Sequence, residues 1–126
     1  MLGRVTDDFA DRFDQRTYGH DVLIRVVRVD RYELEHDDEL WLPERLWLRL
    51  RCIGMAYEMH VTPLFDGSTD PVFLNGAQAE QLGRELTFIV RVVNDPLLAS
   101  WIEKFVSLLR RPSQHASKDA VGIEFP

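Results

Sequence analysis

The sequence predicts an α+β fold in which an antiparallel sheet of about four strands carries two C-terminal helices on one face. Three observations lead there. They are two capped amphipathic segments between Asn75 and Arg111, a β-branched apolar run within Asp21 to Arg31, and alternating side chains from Arg45 to Ile53. With 126 residues and 45% hydrophobic content, the chain has the size and the apolar material of one domain with one core. Residues 1–126 are read as that single domain.

Taken in order, Val5 to Arg16 reads as a short helix, with Phe9 and Phe13 one turn apart and Thr6 as its cap. Tyr18 and Gly19 punctuate it. The centre of Asp21 to Arg31, VLIRVVRV, is a strand apolar on both faces. The acidic stretch Glu35 to Glu39 reads as a hairpin loop, Leu40 to Leu42 as a short apolar piece, and Pro43 as a break. From Arg45 to Ile53 the alternation suits a strand, with Leu46, Leu48, Leu50 and Cys52 on the side to be covered by the helices. Arg45, Trp47, Arg49 and Arg51 fall on the other side. Gly54 then reads as a turn or bulge, because the phase changes to Tyr57, Met59, Val61 and Phe65 against Glu58, His60 and Thr62. Asp66 to Pro71 is a loop by composition, and Val72 to Leu74 a last short strand.

The first C-terminal helix has a start signal with a mechanism. Asn75 can accept from first-turn amides while Gln78 reaches back to the Asn75 amide. Ala79, Leu82, Gly83, Leu86, Ile89, Val90 and Val93 then recur at spacings of three and four, with Gln81, Arg84, Glu85 and Arg91 mostly elsewhere. Asn94-Asp95-Pro96 breaks the chain and restarts it, since Asp caps well and proline suits the first helical position. Leu98, Trp101, Ile102, Phe105, Leu108 and Leu109 form the second apolar stripe, and Arg110 and Arg111 meet the negative helix end before Pro112. The tail 113–126 divides between disorder and a small added strand. Its polar composition favours disorder through Lys118 and leaves the final apolar residues open.

No catalytic or cofactor motif is visible. His20-Asp21 and the Glu35 to Glu39 cluster contain ligand types for a metal, but adjacent residues cannot all converge on one ion. Asp66-Gly67-Ser68-Thr69-Asp70 lacks the alternating acids and closing glutamate of a calcium loop. Cys52 falls on the leucine side, where a thiol is a small hydrophobe. No Gly-x-Ser-x-Gly elbow and no phosphate-cradling glycine loop occur. Catalytic residues, metal ligands and cofactor are therefore read as none, and enzymatic function as the weaker alternative.

The net charge is −6, and residues 1–40 carry eleven acids against six arginines. Such a field repels phosphate backbones and attracts basic proteins, so nucleic-acid binding is not expected. No long apolar run indicates a membrane span, no leader is apparent, and the single cysteine suits a reducing compartment. A cytoplasmic protein is the expectation. Candidate partner-binding residues are the acidic stretch Glu35, Asp37, Asp38 and Glu39, and the outer side of the Arg45 strand with Arg45, Trp47 and Arg49, since Trp and Arg are enriched in binding hot spots. The leading expectation is a non-enzymatic protein-binding domain, such as a bacterial immunity or inhibitor protein neutralising a basic toxin. Two alternatives stand beside it: a small enzyme or ligand-binding domain using His60, Glu58 and Arg49 on an open sheet face, and a structural subunit that forms homo-oligomers.

Overall fold

The computed structural model describes residues 23–64, 71–112, 114 and 119–124. In chain order they form β1 (Leu23–Arg28), a 3-10 turn (His36–Asp38), β2 (Glu39–Pro43), α1 (Glu44–Ala56), a second 3-10 turn (Thr62–Leu64), β3 (Val72–Asn75), α2 (Gly76–Val92), α3 (Pro96–Leu109) and β4 (Asp119–Glu124). The strands make one antiparallel sheet in the order β2-β1-β4-β3. This is the α+β architecture the sequence predicts, with one further helix, α1, among the described residues. The Val5 to Arg16 helix and most of the Asp66 to Pro71 loop lie outside the described residues.

On β1, Ile24, Val26 and Arg28 share a parity and are all buried. Leu42 and Leu40 lie opposite Ile24 and Val26 on β2, while Val121 of β4 lies between Arg28 and Leu74 of β3. These residues make the helix-facing side of the sheet. Helix α2 lies against β3 and β4, and α3 against β1 and β2. Leu82, Leu86 and Ile89 of α2 and Leu98, Ile102, Phe105 and Leu108 of α3 complete the core.

Both expected caps are present. Asn75 Oδ1 accepts from the Gln78 amide at 2.8 Å, and Gln78 Oε1 accepts from the Asn75 amide at 3.0 Å. Asp95 Oδ1 accepts from the Leu97 and Leu98 amides at 3.0 and 3.2 Å. The apolar spacing largely buries the faces that periodicity assigns, and two residues outside the assigned stripes, Glu85 on α2 and Val106 on α3, are buried as well.

The strand expected at Arg45 to Ile53 is instead the interior of α1, which corrects the assignments made along it. Leu46 and Leu50 are buried as foreseen, but Leu48 and Cys52 are exposed. Trp47, expected on an outer face, is 0% exposed and stacks on Phe105 with ring centroids 5.9 Å apart. The buried set Leu46, Trp47, Leu50 and Gly54 follows the helical period, whereas alternation would have grouped Leu48 with Leu50. Intrinsic preference agrees with the helix. The segment ERLWLRLRCIGMA is built mostly of good helix formers and holds a single β-branched residue, Ile53.

Gly54 is therefore no bulge. It lies inside α1 where a Cβ would stand 2.9 Å from the Thr62 side chain, so the second 3-10 turn packs directly on the helix. The chain reaches that turn through a Schellman closure, in which the Met59 amide bonds to the Gly54 carbonyl at 2.8 Å and the Glu58 amide to the Met55 carbonyl at 3.1 Å. Glu58 occupies the left-handed position with φ 54°. No strand forms between Tyr57 and Leu64, so the expected pairing of Tyr57, Met59 and Val61 on one sheet face is corrected as well.

Residues 119–124, left open between disorder and a strand, form β4 in the middle of the sheet. A Cβ at Gly122 would meet the Phe73 ring at 3.0 Å and Val29 at 2.9 Å, so the bare backbone lets Phe73 lie over the central strand.

Arg28 closes the layers against each other. Only 4% exposed, it pairs with buried Asp30 and donates from Nη1 to the Leu108, Leu109 and Arg111 carbonyls at 3.0, 3.3 and 2.6 Å. The last turn of a helix has carbonyls without intrahelical partners and a partial negative charge, and a cation from the sheet answers both.

Two outcomes follow from these contacts. Replacing Arg28 by Met leaves Asp30 buried without its partner and the α3 end uncapped, and should lower stability by about 3–5 kcal/mol in urea denaturation. Glu58→Gly relieves a left-handed non-glycine residue and should raise stability by about 1 kcal/mol in the same measurement.

Candidate partner-binding groove

The acidic stretch Glu35 to Glu39 is wound tightly against the end of α3. Asp38 is 0% exposed, and its carboxylate accepts from Arg31 Nε at 3.1 Å, Arg111 Nε at 2.5 Å and the Glu35 amide at 2.9 Å. Arg111 also pairs with Glu35 at 2.7 Å and reaches Asp37 at 3.6 Å, while Arg31 donates to the Pro112 carbonyl at 2.5 Å. Burial opposes the charged form of Asp38, but the Glu35 amide and the Arg111 and Arg31 guanidiniums outweigh it and hold the carboxyl below its ordinary range. Glu39 is held low chiefly by its 2.8 Å hydrogen bond from Arg25 and, in lesser part, by Trp41.

Arginines thus tie the acidic stretch to the fold, but Asp38 alone of its five residues is buried. Asp38 is corrected to a buried structural group. Asp37 and Glu35 remain mostly in solvent, 71% and 63% exposed.

The other candidates separate. Arg45 is exposed on α1, Trp47 lies in the core, and Arg49 donates to the helix-capping Asp95 at 2.5 Å, which fastens α1 to the α2–α3 junction. They form no common face with the acidic stretch. His60 and Glu58 border a shallow hollow of about 320 Å³ with Tyr57 and Phe88, and Arg49 is not part of it.

Beneath that hollow lies a residue the sequence pattern hid. Glu85 accepts from the His60, Val61 and Thr62 amides at 3.2, 3.1 and 2.8 Å, from Thr62 Oγ1 at 2.8 Å and from Gln81 Nε2 at 3.0 Å. Burial works against its charge, yet these donors prevail and its pKa is lowered. Five donors leave a carboxylate little capacity to take a substrate proton, so Glu85 serves as the cap of the 3-10 turn rather than as a base. Among the described residues, no group of three or more His, Cys, Asp or Glu is placed to hold a metal ion.

A recess of about 610 Å³ runs between β2 and α3. Glu39, Leu40 and Trp41 form one wall and Trp101, Lys104 and Leu108 the other, while His36, Asp37 and Glu103 complete its rim. Trp41 is 44% exposed and pairs across the strand with Arg25. Lys104 Nζ stands 4.8 Å from the centroid of the Trp101 ring, a cation–π contact that keeps the ammonium at the groove. Two of the acidic candidates, Asp37 and Glu39, are therefore brought together with a tryptophan, although it is Trp41 and not Trp47. The sequence carried a signal for this: Trp41 has the parity opposite to Leu40 and Leu42, so if those leucines face the core it cannot.

No family model matches this chain, and no curated protein or solved structure does. Among the described residues, no helix is long and apolar enough to cross a membrane.

Glu85 offers a test of the internal anions. Its folded pKa lies below the ordinary value of 4.5, so its stabilisation is complete above that pH and is lost as pH falls through the folded pKa. Glu85→Gln should lower stability at neutral pH, and its deficit relative to the parent should shrink below about pH 4.5. Urea denaturation across that range checks it.

Proposed function

We propose that this chain is a non-enzymatic protein-binding domain whose partner seats in the groove between β2 and α3. In its particular form the reading is a bacterial immunity or inhibitor protein that neutralises a basic toxin. The observation that carries it is Trp41, a large aromatic left nearly half exposed on a recess whose rim holds Asp37 and Glu103. A tryptophan flanked by groups that can exclude water is the residue type on which binding energy concentrates.

A net charge of −6 supports a basic partner, since complementary fields speed encounter and reject partners of like charge. The same charge argues against a nucleic acid as the partner. The pairing of Glu35, Asp38 and Glu39 with arginines narrows the attraction to the groove rim and the overall field. A cytoplasmic setting belongs to this reading, supported by the single cysteine, Cys52.

Capture from cells that make the protein provides the test. The wild type should retain a basic protein that the Trp41→Ala, Asp37→Asn variant loses, with affinity down by about thirtyfold and the circular dichroism spectrum unchanged. If the variant retained every partner of the wild type equally, the groove would not be the binding site.

A further inference from the structure

We infer that the groove takes an extended segment of its partner, alternating apolar and basic residues, as a fifth strand along β2. The inference rests on the protein-binding reading above and names the form of the occupant. Its first support is geometric. Successive side chains leave a strand on opposite faces, yet Glu39, Leu40 and Trp41 all border the same space. Three consecutive residues share one space only along the edge of the strand, where the backbone itself forms part of the wall.

That edge has a partner on one side. Among the described residues β2 pairs with β1 alone and is an end strand of the sheet. An edge strand presents a row of outward amides and carbonyls, and such rows are either protected or used for strand addition. Here α3 stands across from the edge and makes a slot of it, lined by Trp101, Lys104 and Leu108.

The walls then dictate the sequence of the occupant. Leu40, partly buried, offers apolar surface on the helix side, and the largely buried Trp101 and Leu108 close the slot behind it. Trp41 leaves on the other side, where a Lys or Arg of the incoming strand would meet an indole face, while Glu39 beside it is already paired with Arg25. Asp37 and Glu103 on the rim outnumber the one cation there, Lys104, and with the net charge of −6 favour cations over acidic segments. A second copy of the chain brings the same acidic β2 and is the poorer occupant.

Two synthetic probes test this at low ionic strength: acetyl-Val-Lys-Val-Lys-Val-Lys-amide and its counterpart with Glu in place of Lys. The lysine peptide should bind more tightly by about tenfold or more in calorimetry, slow hydrogen exchange of β2 amides, and lose its affinity with Trp41→Ala. Equal or tighter binding of the glutamate peptide overturns the inference. So does lysine-peptide binding that leaves β2 exchange unchanged, or binding of neither peptide. Each of those results leaves the capture comparison to decide separately whether the groove binds a protein by another mode.

Discussion

The guanidinium of Arg28 stands where a central strand, the end of a helix and the connection leaving it all meet. Around it the chain has gathered charge in layers. Asp30 balances Arg28 in the interior, Asp38 joins Arg31 and Arg111 one step outward, and Glu35 and Asp37 receive the rest of Arg111 near solvent. The Gln114 amide bonds to the Asp30 carbonyl at 3.2 Å, so the chain beyond α3 is tied to the same point. From this anchor α3 is held beside β2, which gives the groove its second wall. Part of the chain's acidity is thus structural, with Asp30, Asp38 and Glu85 buried against arginines and turn amides.

Sequence reasoning succeeded where a local signal had a local cause. The caps at Asn75 and Asp95 involve groups within three residues of each other, and both formed as read. The strand at Leu23–Arg28 and the short strand entering α2 followed from β-branched content and position. The failure at Arg45 to Ile53 came from a pattern that satisfies two periods at once. Leucines at 46, 48 and 50 alternate, while Leu46, Trp47, Leu50 and Gly54 also line one helical face, and only the scarcity of β-branched residues favoured the helix. Glu85 and Asp38 were beyond local reading, because each is buried by donors far away in sequence.

The candidate site was half legible for the same reason. Asp37 and Glu39 stood out as charges, but which acids stay available depends on Arg25, Arg31 and Arg111. Exchanging Trp47 for Trp41 followed directly from the misread helix. Once α1 turns Trp47 onto Phe105, the exposed tryptophan is the one whose neighbours in a five-residue strand point into the core.

The placement of β4 has a consequence for how the sheet comes together. Strands β1 and β3 touch β4 and not each other, so the sheet is bridged by a segment that follows both C-terminal helices in the chain. The β1–β2 hairpin and the β3–α2 unit can each begin from nearby contacts, but their union waits on pairings that span most of the sequence, which slows folding. A truncation before Asp119 would remove the middle of the sheet rather than trim its edge. It would leave a hairpin and a lone strand, each with an exposed flank open to aggregation.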